Sequence, residues 1–243
     1  MDQVKLKVIG CGDAFSSGGR FTTSFFSQWN GKGFLLDCGS TILPAMKRAG
    51  VSSNDVDVIF ISHLHGDHYG GLPYFLLDAS IQSGREKGLT ILGPTGIEEK
   101  THELFKLLYP GSSYSFDINF IEYKTYEGYE VEGVGFKPYP VVHSEGTYPH
   151  GYRLTFGSKV LAYSGDTGWT DELIPLSEGA DLFICECNFV ELKMAAHINY
   201  KELEEHLNDF NVKRLLLTHM ADEMIEYQVS GVEKAHDGLE LVI

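Results

Sequence analysis

The chain has 243 residues, of which 43% are hydrophobic and 22% charged, a balance typical of a globular protein with a sizeable core. Its formal net charge is −15, and it has no run of lysines and arginines, which argues against a broad nucleic-acid-binding surface. A small anionic substrate is still compatible with this charge if bound cations neutralise it locally.

The remaining composition excludes several classes of protein. No apolar run is long enough to cross a bilayer, and the N-terminal residues do not form the apolar core of a signal peptide. We therefore expect a cytoplasmic protein with no membrane segment. The four cysteines form no Cys-x-x-Cys pair, which predicts free buried thiols and neither a disulfide framework nor a zinc ribbon. Because no Pro/Ser-rich linker divides the chain, residues 1–243 are predicted to form a single domain.

Apolar strand-like runs alternate with helix-like periodic segments along the whole chain, which predicts an α/β or α+β layered fold. In chain order, the first half predicts strands over 4–9, 24–29 and 33–37, a helix over 42–49, a strand over 56–61, a helix over 72–82, a strand over 89–92 and a helix over 96–108. The second half predicts another sheet, with strands over 151–156, 159–163, 182–185 and 214–217. A further helix is predicted to start after Asn199, whose side chain can cap it, with Glu202 three residues on.

An HLHGDH hexapeptide begins at His63, directly after a predicted apolar strand, and concentrates three imidazoles and one carboxylate. Neutral imidazole and ionised carboxylate are ligands that zinc, manganese and iron accept. In an extended segment His63 and His65 project to the same side, whereas a turn at Gly66 would carry Asp67 and His68 towards a neighbouring position. Four such groups at one strand end indicate a site for two metal ions.

Three further potential ligands each follow an apolar strand-like run. His143 follows Val141 and Val142, Asp166 follows the run 160–165, and His219 follows the run 212–218. Because the carboxyl ends of neighbouring strands can share one crevice, we expect these side chains to converge with the hexapeptide. Taken alone, an Asp at a strand end followed by Thr and Gly is more often a turn residue, so the metal interpretation depends on the whole set.

These residues resemble the metallo-β-lactamase superfamily, whose His-x-His-x-Asp-His loop is matched at 63–68, and the resemblance covers nearly the whole chain. The segments 10–14, 66–73 and 92–96 are similar to the ribonuclease Z group and its phosphodiesterase relatives. The resemblance implies a four-layer αββα sandwich, in which two β-sheets lie between helices. It also implies a homodimer, which nothing else in the sequence fixes.

The resemblance further implies that the ligands divide between two divalent ions, by preference zinc, although manganese or iron would accept the same set. His63, His65 and His143 would hold one ion, Asp67, His68 and His219 the other, and Asp166 would bridge them. Two ions about 3.5 to 4 Å apart suit hydrolysis because they turn a bridging water into a hydroxide nucleophile and neutralise charge on the substrate oxygens. Asp67 is also predicted to orient that hydroxide, which would make it a catalytic residue.

Glu186 and His197 are the candidates for supplying a proton to the leaving oxygen. Glu186 follows the strand predicted at 182–185, and His197 precedes the helix capped by Asn199. In the ribonuclease Z group a Glu and a His at matching positions form a dyad, which implies that His197 is the general acid and Glu186 its orienting partner. Two alternatives stay open: His197 as a solvent-exposed residue at a helix start, and Glu186 as a support for a metal-binding histidine.

The chain departs from the ribonuclease Z group between His143 and Asp166. The long arm that clamps transfer RNA in that group would be expected there, but the interval has room only for a loop and a hairpin that turns at Gly157 and Ser158. We therefore predict a dinuclear metal-dependent phosphodiesterase, ribonuclease Z-like in mechanism, that acts on a small or exposed phosphodiester. The alternatives are a thioester or lactam hydrolase of the glyoxalase II or lactamase type, and a non-catalytic metal-binding module.

Overall fold

The computed structural model describes residues 3–243, and within them it forms fourteen β-strands and seven α-helices. The strands are β1 Lys5–Gly10, β2 Ser24–Trp29, β3 Lys32–Leu36, β4 Val58–Phe60, β5 Leu89–Gly93, β6 Ile118–Glu122, β7 Tyr129–Val131, β8 Val134–Pro140, β9 His150–Phe156, β10 Lys159–Tyr163, β11 Leu182–Glu186, β12 Leu215–Thr218, β13 Glu233–Lys234 and β14 Glu240–Val242. The helices are α1 Ile42–Ala49, α2 Gly66–Tyr69, α3 Leu72–Leu77, α4 Ile97–Leu108, α5 Leu173–Ser177, α6 Tyr200–His206 and α7 Asp222–Glu226.

The strands form two seven-stranded mixed sheets. The first has the order β14-β1-β2-β3-β4-β5-β6, and the second has the order β13-β12-β11-β10-β9-β8-β7. Strands β3 to β6 run parallel to one another, and so do β10 to β13. In each sheet the carboxyl ends of these neighbouring strands therefore lie along one edge.

Three apolar clusters hold the layers together and confirm the predicted α/β sandwich. One cluster lies between the two sheets and includes Phe34, Phe60, Phe136 and Tyr152. The second packs α1, α3 and α4 onto the first sheet, and the third packs α5, α6 and α7 onto the second. Between the sheets, Phe60 of β4 stacks on Phe136 of β8 with 5.2 Å between the ring centroids. Each fully buried ring of this size contributes about 1.5 to 3 kcal/mol, so these contacts fix the position of β4 against the second sheet.

Most of the predicted elements are confirmed, and the differences have local causes. Helix α1 occupies the predicted residues, with Pro44 in its first turn. The helix predicted over 72–82 is α-helical only to Leu77 and continues as a π-helical turn over Asp78–Gln82, where the Ser83 N–H donates to the carbonyl of Asp78. The Asp78 carboxylate also accepts the Ser83 hydroxyl, which stabilises the wider turn.

The interval between the third histidine and the following aspartate contains no arm. After a short loop, β9 and β10 pair as an antiparallel hairpin with Phe156 opposite Lys159, turning at Gly157, whose φ is 59°. Glycine adopts this left-handed backbone without the strain that a side chain would cause. The predicted hairpin is therefore present, and it occupies the interval in which the ribonuclease Z group would carry its transfer-RNA-clamping arm.

The predictions about the whole chain differ in outcome. All four cysteines are free and buried, as expected. Among residues 3–243, no helix is both long and apolar enough to cross a bilayer. Both sheets share one core, while the single domain over 1–243 stays a prediction.

Candidate metal centre

The candidate ligands lie at one end of the sandwich, on the loops that follow β4, β8, β10 and β12. Strand β8 is antiparallel to β9, and β9 is antiparallel to β10, so β8 and β10 point in the same direction. The loops after β8, β10 and β12 therefore leave the second sheet at the same edge. Because the core aromatic rings hold β4 against β8, the loop after β4 meets them there.

The hexapeptide loop adopts the turn that its sequence predicts. His65 has extended backbone, with φ −83° and ψ 150°, and is the N-cap of the four-residue helix α2. Helix α2 begins at Gly66 and carries Asp67 and His68, both buried, and the His68 ring lies beside that of His63 with 4.2 Å between the centroids. The loop thus presents its ligands to two neighbouring positions.

The first position is formed by the imidazole cluster, which consists of His63, His65 and His143. His65 Nδ1 lies 3.2 Å from His63 Nε2 and 3.0 Å from His143 Nε2. These distances are close to the edge of about 3.3 Å of a tetrahedron whose ligands lie about 2.0 Å from a central zinc ion.

The three histidines of the imidazole cluster are in the neutral form, which suits the binding of a cation. His143 Nδ1 lies 2.8 Å from the carbonyl oxygen of Ala196, which can only accept a hydrogen bond, so Nδ1 carries the hydrogen and Nε2 presents a lone pair. Burial lowers the pKa of His63, His65 and His143, because desolvation disfavours the charged imidazolium. Neutral imidazoles that direct lone pairs at one point fit a metal ion.

The second position is formed by the carboxylate cluster, which consists of Asp67, His68, Asp166 and His219. His68 Nε2 lies 3.2 Å from Asp67 Oδ2 and 3.2 Å from Asp166 Oδ1. His219 Nε2 lies 3.3 Å from Asp67 Oδ2 and 3.2 Å from Asp166 Oδ2. Asp166 Oδ2 also lies 3.8 Å from His63 Nε2, so this carboxylate faces both clusters.

In the carboxylate cluster, unlike the imidazole cluster, the histidines favour the protonated form. Burial opposes the charged form of His219, but the neighbouring carboxylates, Asp166 first, raise its pKa to about 9. The pKa of His68 is also raised well above its usual value, because Asp166, Asp67 and Asp37 outweigh the desolvation. Conversely, the pKa values of Asp67 and Asp166 are lowered by these imidazoles in spite of burial. Protons therefore hold the positive charge at this cluster when no metal ion does.

Two orphaned atoms indicate that a cation belongs in the carboxylate cluster. His68 Nε2 and Asp166 Oδ1 are buried and, although they lie 3.2 Å apart, neither has a hydrogen-bond partner in suitable alignment. An unsatisfied buried polar atom costs about 1 to 3 kcal/mol, and more if it is charged. Both clusters therefore fit a divalent metal ion, by ligand chemistry and by spacing.

Three supporting groups were not predicted from the sequence. Asp37 follows β3 and lies 2.7 Å from Nδ1 of His68, Asn188 lies 3.0 Å from Nδ1 of His219, and the Ala196 carbonyl accepts from His143. Such contacts fix the ring orientation and the basicity of a ligand. Asp37 could have been noticed as an acidic residue at a strand end, whereas a backbone carbonyl leaves no trace in the sequence.

Glu186 and His197 lie together beside both clusters. His197 Nδ1 lies 3.0 Å from Glu186 Oε1 and 3.3 Å from Oε2. The His197 ring centroid is 4.9 Å from that of His143 and 5.5 Å from that of His219. Its side chain is 18% exposed, compared with 4% for His143 and 3% for His219, so it lies nearer the mouth of the site.

The electrostatics of this pair favour a protonated imidazole. Burial opposes the charge on His197, but its hydrogen bond to Glu186 raises its pKa. Burial raises the pKa of Glu186, although His197 counteracts this shift. Glu186 also accepts the backbone N–H of Thr167, which directly follows Asp166, and donates its own N–H to Ser164 Oγ at 2.9 Å. The carboxylate therefore holds His197 from a rigid position.

The fold and this set of groups define the class: the protein is a metal-dependent hydrolase of the metallo-β-lactamase superfamily. Solved structures agree. The metallo-β-lactamase fold protein YhfI from Bacillus subtilis superposes with a TM-score of 0.82 at 26% identity, covering 100% of both chains. Human tRNase Z, short form, superposes with a TM-score of 0.81 at 22% identity over 98% of each chain, a likeness of fold.

Relatives in sequence identify the family to which the chain belongs. Ribonuclease Z from Methanothermobacter thermautotrophicus is 30% identical over 269 aligned positions, which cover 90% of this chain and 87% of the relative. The family model described as anti-Pycsar protein Apyc1 matches residues 4–240. The chain belongs to this family, and the predicted resemblance to the ribonuclease Z group is confirmed.

Proposed function

We propose that the protein is a dinuclear metal-dependent phosphodiesterase that acts on a small or exposed phosphodiester. The observation that carries the proposal is the contact between His197 Nδ1 and Glu186 Oε1, 3.0 Å long, beside both ligand clusters. Cleavage of a phosphodiester releases an alkoxide that needs a proton, whereas thioester and lactam hydrolysis do not require such a pair. Relatives named ribonuclease Z support the same chemistry.

The imidazole cluster and the carboxylate cluster would each hold one divalent ion, by preference zinc, with manganese or iron as the alternatives. Bound there, the two ions would supply a hydroxide nucleophile and neutralise charge on the phosphate oxygens. Asp166 faces both positions. Asp67, whose side chain is 9% exposed, would accept a hydrogen bond from the nucleophile and orient it.

His197 is the general acid in this proposal. Nδ1 of His197 donates a hydrogen bond to Glu186 Oε1, which leaves Nε2 of His197 as the donor edge that faces the substrate. The ionised carboxylate stabilises the imidazolium before the reaction, and Nε2 then gives its proton to the leaving oxygen. Glu186 keeps the Nδ1 hydrogen bond throughout and acts by orienting the ring.

Two features favour a small substrate over transfer RNA. The net charge is −15, and the segment 142–150 at the site contains no lysine or arginine. The hairpin of β9 and β10 occupies the interval where a clamping arm was expected. A polyanionic backbone would therefore find little to bind beyond the metal centre.

The proposal is tested by turnover of a substrate panel by the zinc- or manganese-loaded protein. The panel contains bis-p-nitrophenyl phosphate, cyclic nucleotides, nucleotide diesters, a transfer-RNA precursor and a thioester. We expect metal-dependent hydrolysis of diesters, with the small diesters turned over faster than the transfer-RNA precursor. No turnover of any diester, or a thioester as the best substrate, would contradict the proposal.

The role of His197 is tested with two leaving groups. p-Nitrophenolate leaves without a proton, whereas a nucleoside alkoxide needs one, so His197→Ala should slow release of the nucleoside by about 10² to 10⁴-fold and that of p-nitrophenol much less. The metal content should stay unchanged, because His197 is not required as a ligand. Equal losses on both substrates, or a loss of metal, would show another role for His197.

Three further expectations remain part of the proposal. The protein is expected to form a homodimer, to lie in the cytoplasm and to bind neither membranes nor extended nucleic acid. Sedimentation equilibrium, cell fractionation, and binding assays with vesicles and duplex RNA measure these properties directly.

A further inference from the structure

Asp37 is a buried carboxylate that lies beneath both ligand clusters. It directly follows β3, has a left-handed backbone with φ 57°, and is fully buried. Its N–H donates to the carbonyl of Phe60 and its carbonyl accepts from the hydroxyl of Ser24, at 2.8 Å each. The left-handed backbone costs a non-glycine residue about 1 kcal/mol or more, a strain typical of functional positions.

The carboxylate of Asp37 accepts four hydrogen bonds. Its Oδ1 accepts the N–H of Ser62 at 2.7 Å, and its Oδ2 accepts the hydroxyls of Ser62 and Tyr163 at 2.8 Å each. The fourth donor is Nδ1 of His68, at 2.7 Å from Oδ2. The Nδ1 hydrogen of His68 is therefore held by Asp37, and Nε2 is free to face the carboxylate cluster.

A second path from Asp37 reaches the other cluster. The Ser62 hydroxyl donates its only hydrogen to Asp37, so its oxygen can accept from Nδ1 of His63, which lies 3.0 Å away. Nδ1 of His63 thus carries the hydrogen, and Nε2 presents its lone pair to the imidazole cluster. The rings of His63 and His68 lie with their centroids 4.2 Å apart, and both are connected to the same carboxylate, His68 directly and His63 through Ser62.

We propose that Asp37 is a positioning residue shared by both metal sites, acting directly on His68 and through the Ser62 hydroxyl on His63. The inference rests on the proposed two-metal site. Because one carboxylate sets the tautomer and the angle of a ligand in each cluster, an ion at one position fixes the geometry that the other needs. The two ions should therefore bind with positive cooperativity.

Ser62→Ala separates the two paths. It removes the hydroxyl that supports His63 but leaves the bond between Asp37 and His68. Tyr163→Phe is the matched control, because it also removes one hydroxyl that donates to Asp37, but one that supports no candidate ligand. Asp37→Asn affects both clusters, since an amide NH₂ facing Nδ1 of His68 would move the imidazole hydrogen to Nε2.

The test is a zinc titration of the metal-free protein against a chromophoric chelator, repeated with cobalt to follow its visible absorption. Thermal unfolding of each metal-free variant checks that it folds. For the wild type we expect two ions with positive cooperativity. Ser62→Ala should lower the binding affinity for one of the two ions by about 10 to 100-fold and abolish the cooperativity. Tyr163→Phe should leave the affinity for each ion unchanged. Asp37→Asn, if folded, should lower the affinity for both ions.

The outcomes separate this inference from the proposed function. If the wild type binds fewer than two ions, the proposed dinuclear site fails, and this inference fails with it. If the wild type binds two ions but Ser62→Ala matches Tyr163→Phe in both affinities and in the cobalt spectrum, only the shared role of Asp37 is overturned. Independent binding of the two ions in the wild type would overturn it as well.

Discussion

The imidazole cluster and the carboxylate cluster adjoin each other but hold charge in opposite ways. In the first, burial lowers the pKa of all three histidines, so the ligands are neutral before a metal ion arrives. In the second, carboxylates raise the pKa of His68 and His219, so the imidazoles are protonated. A metal ion therefore adds charge at the first position but replaces protons at the second.

This difference predicts that the two positions respond differently to mutation and to pH. The carboxylate cluster should bind its ion more tightly at high pH, because protons compete for His68 and His219. The imidazole cluster should depend less on pH, since its ligands are neutral already. Asp166 joins the two, because it lies within 4 Å of His63 as well as of both protonated imidazoles.

The largest effect is expected from Asp166→Ala, which takes a carboxylate from both positions at once. We expect kcat/KM on bis-p-nitrophenyl phosphate to fall on the order of 10³-fold or more, with loss of bound metal. Asp117→Ala is the control, because this carboxylate is exposed and precedes β6, at the amino ends of the parallel strands, whereas the ligand loop follows the carboxyl end of β4. Retention of activity and of two ions in Asp166→Ala would refute the bridging position.

His143→Ala tests the imidazole cluster by itself. We expect one ion to be lost and the other kept at lower affinity, because the two ions support each other's binding, with kcat/KM lowered on the order of 10²-fold. Elemental analysis and steady-state kinetics measure both, and His236→Ala, at an exposed histidine, serves as the control. If both ions are lost, the two positions are less separate than the comparison of the clusters implies.

Glu186→Gln should move the pH dependence of the reaction. Glu186 raises the pKa of His197, and the general acid works only while it is protonated, so activity is lost as pH rises through that pKa. Removing the negative charge of Glu186 lowers the pKa of His197. The alkaline limb of the kcat profile should therefore move to lower pH, and kcat should fall about tenfold or more at alkaline pH. An unmoved limb, or a shift to higher pH, would contradict the assignment of His197.

The smallest effect concerns stability. In the metal-free protein, the pKa of His219 is about 9 when folded and about 6.5 when unfolded, so its contribution is fully present below pH 6.5 and is lost as pH rises through 9. Metal binding has the opposite dependence, because it needs neutral imidazoles. The difference in Tm between zinc-loaded and metal-free protein should therefore grow by several degrees from pH 6.5 to 9. A constant or shrinking difference would count against protonated imidazoles in the carboxylate cluster.

The sequence was sufficient to predict the candidate ligands because each one follows an apolar strand, and parallel strands end at a common edge. It could not predict that Asp37 lies beneath both clusters, because this depends on the packing of β3 beside β4 and on a left-handed backbone at one residue. The contact of Ala196 with His143 comes from a backbone carbonyl, which any residue type supplies. The order of strands within each sheet likewise depends on pairings between distant segments that local patterns do not encode.

The most direct test of the two-metal site is an anomalous difference map from crystals of the zinc-reconstituted protein, collected on both sides of the zinc absorption edge. We predict two peaks per chain about 3.5 to 4 Å apart, one among His63, His65 and His143 and one among Asp67, His68 and His219, with Asp166 between them. A single peak, or none at these residues, would contradict the two-metal account.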